Sequence, residues 1–325
     1  MAEGDTRDAK RTAVFRGPTS YEDLFYLCEE MTNWRIGLSD NSILTPFMKA
    51  LERRARRLLS GDSLDARLNN LGLLASLARL FIQFATTVAL RSGEPSGLDL
   101  IVELARAERI KQLNIVTLNH DTLVERLLAD DGLDLVDGFG AADGDIRWYD
   151  DHLYDTSTAT VRLFKLHGSV NWYDFHVNGL SRPGLVLREN IGVLADHDGK
   201  PLKPWLPNPS FLTGGNKAIR YQHGIYIDLQ YRFQELLRRC DVILMCGYGW
   251  GDLALNLRLE TWLDRPLSKI ILLHPNPEEI RERSMIVSSA YDWWVSSGRL
   301  VPVPKWMSDL SLADIERLLF DPLSA

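Results

Sequence analysis

Val242-Ile243-Leu244-Met245-Cys246-Gly247-Tyr248-Gly249-Trp250-Gly251-Asp252 decides the fold. Its first five residues are apolar without a break, the pattern of a strand buried on both faces. Three glycines follow within five positions, and the stretch Leu253 to Leu263 then reads as a helix. Strand, glycine turn and helix in that order predict one unit of a parallel sheet, with the turn at the strand's carboxyl end. The spacing is not a GxGxxG fingerprint, because the third glycine comes one residue early. Glycines in such a turn permit close backbone approach to a ligand, with the helix N-terminus facing its anionic part. A tight strand-to-helix turn without a ligand is the alternative.

The same alternation extends outward. Ile270-Ile271-Leu272-Leu273 is a second apolar run, closed by His274-Pro275. Leu300 to Val303 reads as an edge strand, where Pro302 is tolerated. Upstream, Leu113 to Thr117 is a short buried run, and Val161 to Leu166 alternates with period two. Thr122 to Ala129, Ile225 to Arg239, Pro277 to Ser289 and Leu310 to Phe320 read as helices. The fold class is therefore α/β, a Rossmann-like parallel sheet with helices on both faces and a helical module in the N-terminal third. That module covers about 19–110, with helices at Leu44 to Leu59, Leu64 to Arg91 and Leu98 to Glu108. Residues 1–325 form a single domain whose core is about 111–175 and 225–325. The stretch 176–224, rich in Gly, Pro and Asn, reads as an irregular excursion.

Composition narrows the function classes. With 45% hydrophobic and 25% charged residues in 325, the chain is globular rather than disordered. Its net charge of −7 argues against a general nucleic-acid coat. The cluster Arg53, Arg54, Arg56 and Arg57 reads as a solvated helix face. Arg79 and Gln83 interrupt the best membrane-span candidate, Leu71 to Leu90. Met1 to Lys10 has no apolar stretch, so no secretory signal is expected. Cys28, Cys240 and Cys246 have no CxxC spacing, which argues against a disulfide scaffold or a cysteine zinc site and for a reducing cytoplasm. GxxxxGK[ST], HExxH and GxSxG are all absent.

Chemistry-bearing residues lie just after the strands, where ligands of such sheets sit. Asn119-His120-Asp121 follows the first; capping of the next helix accounts for one of the two outer residues, not both. His167-Gly168-Ser169 follows the second, and a histidine there suits general base work near neutral pH. His274-Pro275-Asn276 follows the fourth, with Asn276 either meeting a ribose or capping a helix.

Taken in order, these motifs resemble the sirtuin family from roughly Leu113 to Asn276. Thr117-Leu118-Asn119-His120-Asp121 is similar to the family's Thr-Gln-Asn-x-Asp segment. Lys165-Leu166-His167-Gly168-Ser169 is similar to the segment carrying its His-Gly pair, and Gly247-Tyr248-Gly249 to its later glycine loop. The run Asn119 to Glu125 resembles the zinc-less bacterial branch, which is associated with antiphage defence and hydrolyses NAD. Three cysteines are too few for the four-cysteine ribbon of the protein deacylases. The resemblance implies an NAD glycohydrolase, with NAD as substrate and no metal. It implies Asn119, His167 and Asp121 as catalytic residues: Asn119 positions water or ribose, His167 is the general base, and Asp121 orients the ribose. It places Thr117, Gly168, Gly247, Tyr248, Gly249, Asp252 and Asn276 around the cofactor, Asn276 at the adenine ribose. A homo-oligomer or a defence-system partner protein is expected, with no membrane and no direct nucleic-acid binding.

One element of the family is absent. Its members begin with a strand and a Gly-Ala-Gly-x-Ser type loop that wraps the pyrophosphate. Here Thr12 to Phe15 is similar to a remnant of that strand, and Arg16 to Leu24 is similar to the family's segment after the loop. The loop is expected to be deleted or lost with a truncated start. A catalytically impaired nucleotide-binding or partner-binding module is therefore the second reading, and a zinc-independent deacylase the third.

Overall fold

The computed structural model describes residues 95–177, 179–188, 193–205, 209–212 and 221–320. Of the expected N-terminal helical module only its last helix falls there. The helices read over Leu44 to Leu59 and Leu64 to Arg91, the arginine cluster and the Thr12 to Leu24 segment lie outside the described residues.

In chain order the elements are helix α1 (Asp99–Arg106), strand β1 (Leu113–Thr117), α2 (Leu123–Asp130), β2 (Leu135–Val136), β3 (Phe139–Asp143), β4 (Ile146–Tyr149), the short α3 (Leu153–Thr156), β5 (Val161–Lys165), β6 (Trp172–Val177), β7 (Leu180–Val186), β8 (Leu194–Ala195) and β9 (Pro201–Leu202). Then come α4 (Ile225–Arg239), β10 (Val242–Cys246), α5 (Leu253–Leu263), β11 (Lys269–Leu273), α6 (Pro277–Arg281), α7 (Met285–Ser296), β12 (Leu300–Val303), a 3-10 turn at Met307–Asp309 and α8 (Leu312–Phe320).

Two parallel sheets carry the fold, in strand order β1-β5-β2 and β10-β11-β12. Thr117 lies opposite Lys165 in the first and Cys246 opposite Leu273 in the second, so β1 ends level with β5 and β10 level with β11. Both sheets contribute to the same two apolar cores. Phe164 and Leu166 join Met245, Ile270 and Leu272 beneath α4, α5 and α7. Leu113, Val242 and Leu244 join Ile271 and Leu273 beneath α1 and α8. Helices on both sides explain why Ile270 to Leu273 are all fully buried. Each such side chain contributes about 1.5–3 kcal/mol on burial. The result is a mixed α/β architecture of the Rossmann-like kind expected.

Two segments differ from expectation. The helix read over Pro277 to Ser289 is two helices. Ser284, in extended backbone, accepts from Val287 N and restarts the chain as α7. The excursion read as irregular over 176–224 holds strands β7, β8 and β9 among its described residues. β7 pairs with β6 and β4 in an antiparallel sheet of order β3-β4-β7-β6. Its glycine is structural: a Cβ on Gly184 would lie 2.9 Å from both Ile146 and Phe175 side-chain atoms.

Candidate active site

The carboxyl ends of β1, β5 and β10 carry three turns, and the structure joins them. Val170 N and Ser169 Oγ both donate to His120 O, which locks the turn after β5 onto the turn after β1. The His120 and His167 rings lie 6.2 Å apart, and both side chains are buried. His167 Nε2 is 3.1 Å from Asp252 Oδ2, which bridges the end of β5 to the start of α5. Tyr221, just before α4, closes the group. Its hydroxyl donates to Asp252 Oδ2 at 2.7 Å and lies 2.6 Å from His167 Nε2.

This cluster is buried. Burial pushes the Asp252 carboxyl up. Hydrogen bonds from His167, from the Leu255 backbone and from Tyr221 outweigh that and hold it well below the ordinary carboxylate range. Burial, with Asp252 beside it, pushes the Tyr221 phenol well above its ordinary range. The three residues thus form a carboxylate, a phenol and an imidazole in mutual contact.

The glycine turn delivers Asp252. Tyr248 OH donates to Asn256 Oδ1 at 2.7 Å and accepts from Asp252 N at 3.3 Å. Asn256 Nδ2 in turn donates to Trp250 O, and Trp250 is fully buried with φ 57°. A bulky residue in the left-handed region costs about 1–3 kcal/mol and persists only where its surroundings fix it. Asp252 Oδ1 then accepts from Leu255 N as the N-cap of α5. Gly247 has φ 67° with open space where a Cβ would stand, and Gly251 faces open space too. A Cβ on Gly249 would lie 2.9 Å from Arg283 Nη1. Gly247 and Gly251 therefore leave room for a ligand beside the loop, while Tyr248 and Asp252 spend their polar groups inside the protein.

The remaining expected residues divide the same way. Asn119 is exposed, and its backbone N donates to Thr117 Oγ1 at 3.1 Å. Asp121 Oδ1 accepts from Leu123 N at the start of α2, and its carbonyl accepts from Lys165 Nζ. Gly168 is packed rather than open. With φ 81°, a Cβ there would lie 2.4 Å from Ser210 O and 2.9 Å from Phe211 Cα. Asn276 is exposed at the N-cap position of α6, where its side chain makes no cap bond and its backbone N donates to His274 Nδ1.

Sequence reading did not single out Tyr221, His120 or Lys165. Tyr221 lies outside every strand-end motif. His120 sat inside a motif whose neighbours drew attention; its ring packs 4.6 Å from Phe211 and its Nε2 lies 3.1 Å from Leu212 O. Lys165 is buried and paired with Glu125 at 2.9 Å, which pins the Asp121 turn. A lysine ending an alternating strand was its only signal.

Among the described residues no three His, Cys, Asp or Glu side chains are grouped to hold a metal ion. Among them, too, no helix is long and apolar enough to cross a membrane. A family model described as a SIR2-like domain matches residues 113–293, more than half of the chain. No match was found among curated proteins.

Proposed function

The chain belongs to the SIR2-like family, and on that premise we propose that it hydrolyses NAD at the nicotinamide–ribose bond. The family includes NAD-dependent enzymes, and its domains bind NAD. The observation that carries the finer reading is the burial of His167 against Asp252 and Tyr221, directly beside the Asn119 to Asp121 turn. A histidine and an exposed asparagine on two joined strand-end turns, where ligands of such sheets sit, support that reading.

Cleavage of this bond passes through an oxocarbenium-like state. Asn119 holds water or the ribose, and His167 accepts the proton. Asp121, steadied through Oδ1 by Leu123 N, orients the ribose. Gly247 and Gly249 pass close to the dinucleotide, and Asn276 takes the adenine ribose. Thr117 supports Asn119 through its hydroxyl. Gly168, packed on Ser210, shapes the His167 turn.

Similarity of Asn119 to Glu125 to the zinc-less bacterial branch supports a role in antiphage defence, acting in the cytoplasm as a homo-oligomer or with a partner protein. A nucleotide-binding module without catalysis is the second reading, since Tyr248 and Asp252 beside the glycine loop spend their polar groups inside the protein. Nicotinamide release from NAD, run beside Asn119→Ala and beside acylated peptide as co-substrate, separates these. Release without peptide, lost in the variant, supports the hydrolase. Binding of NAD without release supports the module, and release only with peptide supports a deacylase.

A further inference from the structure

We propose that Arg283 holds a phosphate group of the dinucleotide in a cavity beside the glycine loop. The proposal deepens the NAD reading and rests on it for the identity of the ligand.

The cavity encloses about 180 Å³ between the start of α5 and the start of α7. Pockets that take a whole drug-sized ligand measure about 300–1,000 Å³, so this one suits a single group of a larger molecule. Gly251 lines it from the glycine loop, at the carboxyl end of β10 where ligands of such sheets sit. Met285 and Ile286 line it from the first turn of α7, a twelve-residue helix whose leading N–H groups favour an anion.

The uncommitted polar groups of the lining are donors. Arg283 Nη1 lies 2.9 Å from where a Gly249 Cβ would stand, so the missing side chain at Gly249 lets the guanidinium lie against the loop. Among the described residues that guanidinium makes no hydrogen bond and no ion pair. Trp250 also lines the cavity and is 1% exposed, yet among the described residues its indole N–H has no acceptor. A buried donor left unpaired is costly, and a phosphate oxygen supplies what it lacks. Asn256 and Ser284 are occupied with each other and with Trp250 O, Tyr248 OH and Val287 N. Among the described residues no acidic side chain lines the cavity. A cation and a buried N–H with no competing carboxylate match an oxygen-rich anion. A dinucleotide carries such groups in its pyrophosphate bridge and, in the 2′-phosphorylated form, on the adenine ribose.

The test is calorimetric titration of the full chain and of Arg283→Gln with ADP-ribose, 2′-phospho-ADP-ribose and adenosine. Arg283 is exposed, so the variant is expected to keep the fold. It is expected to bind a phosphate-bearing ligand about tenfold or more weakly and adenosine within about twofold of the unmodified protein. Loss with both phosphate-bearing ligands assigns the pyrophosphate to the cavity, and loss with the 2′-phosphorylated one alone assigns the ribose phosphate. Arg281→Gln is the charge control, because Arg281 is paired with Asp292 and Glu278. It is expected to leave every affinity within about twofold. Unchanged affinities in Arg283→Gln, an equal loss in Arg281→Gln, or no binding of either phosphate-bearing ligand by the unmodified chain overturns the proposal. Absence of nicotinamide release from NAD overturns the hydrolase and leaves these affinities to decide the role of Arg283.

Discussion

Replacing Gly168 by alanine should destabilise the protein far more than replacing Gly247, although both glycines have left-handed backbones. Their φ values are 81° and 67°. An L-residue pays about 1–2 kcal/mol for that conformation at either position. The surroundings differ. At Gly247 a Cβ meets nothing within 4 Å, so the backbone term is the whole effect. At Gly168 a Cβ would lie 2.4 Å from Ser210 O and 2.8 Å from Tyr226 OH. Ser210 cannot step back freely, because its N donates to Trp172 O at 2.7 Å and the nearby Leu212 N donates to His167 O at 2.7 Å. Overpacking of this kind adds about 1–3 kcal/mol. Gly168→Ala is thus expected to lose about 2–5 kcal/mol, or roughly 5–15 °C in melting temperature. Gly247→Ala is expected to lose about 1–2 kcal/mol, or roughly 2–6 °C. Calorimetric melting of the two variants side by side is the assay. Equal losses would refute the claim that Gly168 is held by close packing.

Two further outcomes rest on the same kind of contact. Lys165→Met removes the buried partner of Glu125 and the donor to Asp121 O, and should cost about 3–5 kcal/mol in urea unfolding. Adding Glu125→Leu should restore much of that loss, and no recovery would contradict the burial argument. Asp252 has a depressed carboxyl in the folded state, so its stabilisation is full above the unfolded value and fades as pH falls toward the folded one. The stability gap between the unmodified protein and Asp252→Asn should therefore be flat from about pH 6 to 8 and close below about pH 4 in guanidinium titrations. A gap that widens toward acid would refute it.

The parallel strands were legible because burial on two faces leaves a continuous apolar run. Ile270 to Leu273 is such a run and is buried throughout; Val242 to Cys246 is as apolar but only Met245 in it is buried, and both strands stand where the runs do. The antiparallel sheet was not legible for the opposite reason. Leu180 to Val186 contains Pro183 and Gly184, which read as loop, yet Gly184 is needed where Phe175 and Ile146 crowd the strand. Trp172 to Val177 carried an aromatic-rich signal that turn residues on either side obscured. At the site, motif order placed His167 and Asp252 after their own strands. That their side chains meet is a consequence of tertiary packing across 85 positions of sequence, which no local pattern encodes. Tyr221 had no pattern at all. The glycine loop illustrates the same limit. Its spacing suggested room for a ligand, but not that Tyr248 and Asn256 hold Asp252 in place.

Parallel quantification of nicotinamide and ADP-ribose over time tests most directly whether His167 serves hydrolysis of NAD. The unmodified chain is expected to release both in equal amounts. His167→Ala is expected to retain the fold by circular dichroism and to lose about 10²-fold or more of the rate. Equal rates in the two proteins, or NAD bound by calorimetry with neither product formed by the unmodified chain, would contradict the account.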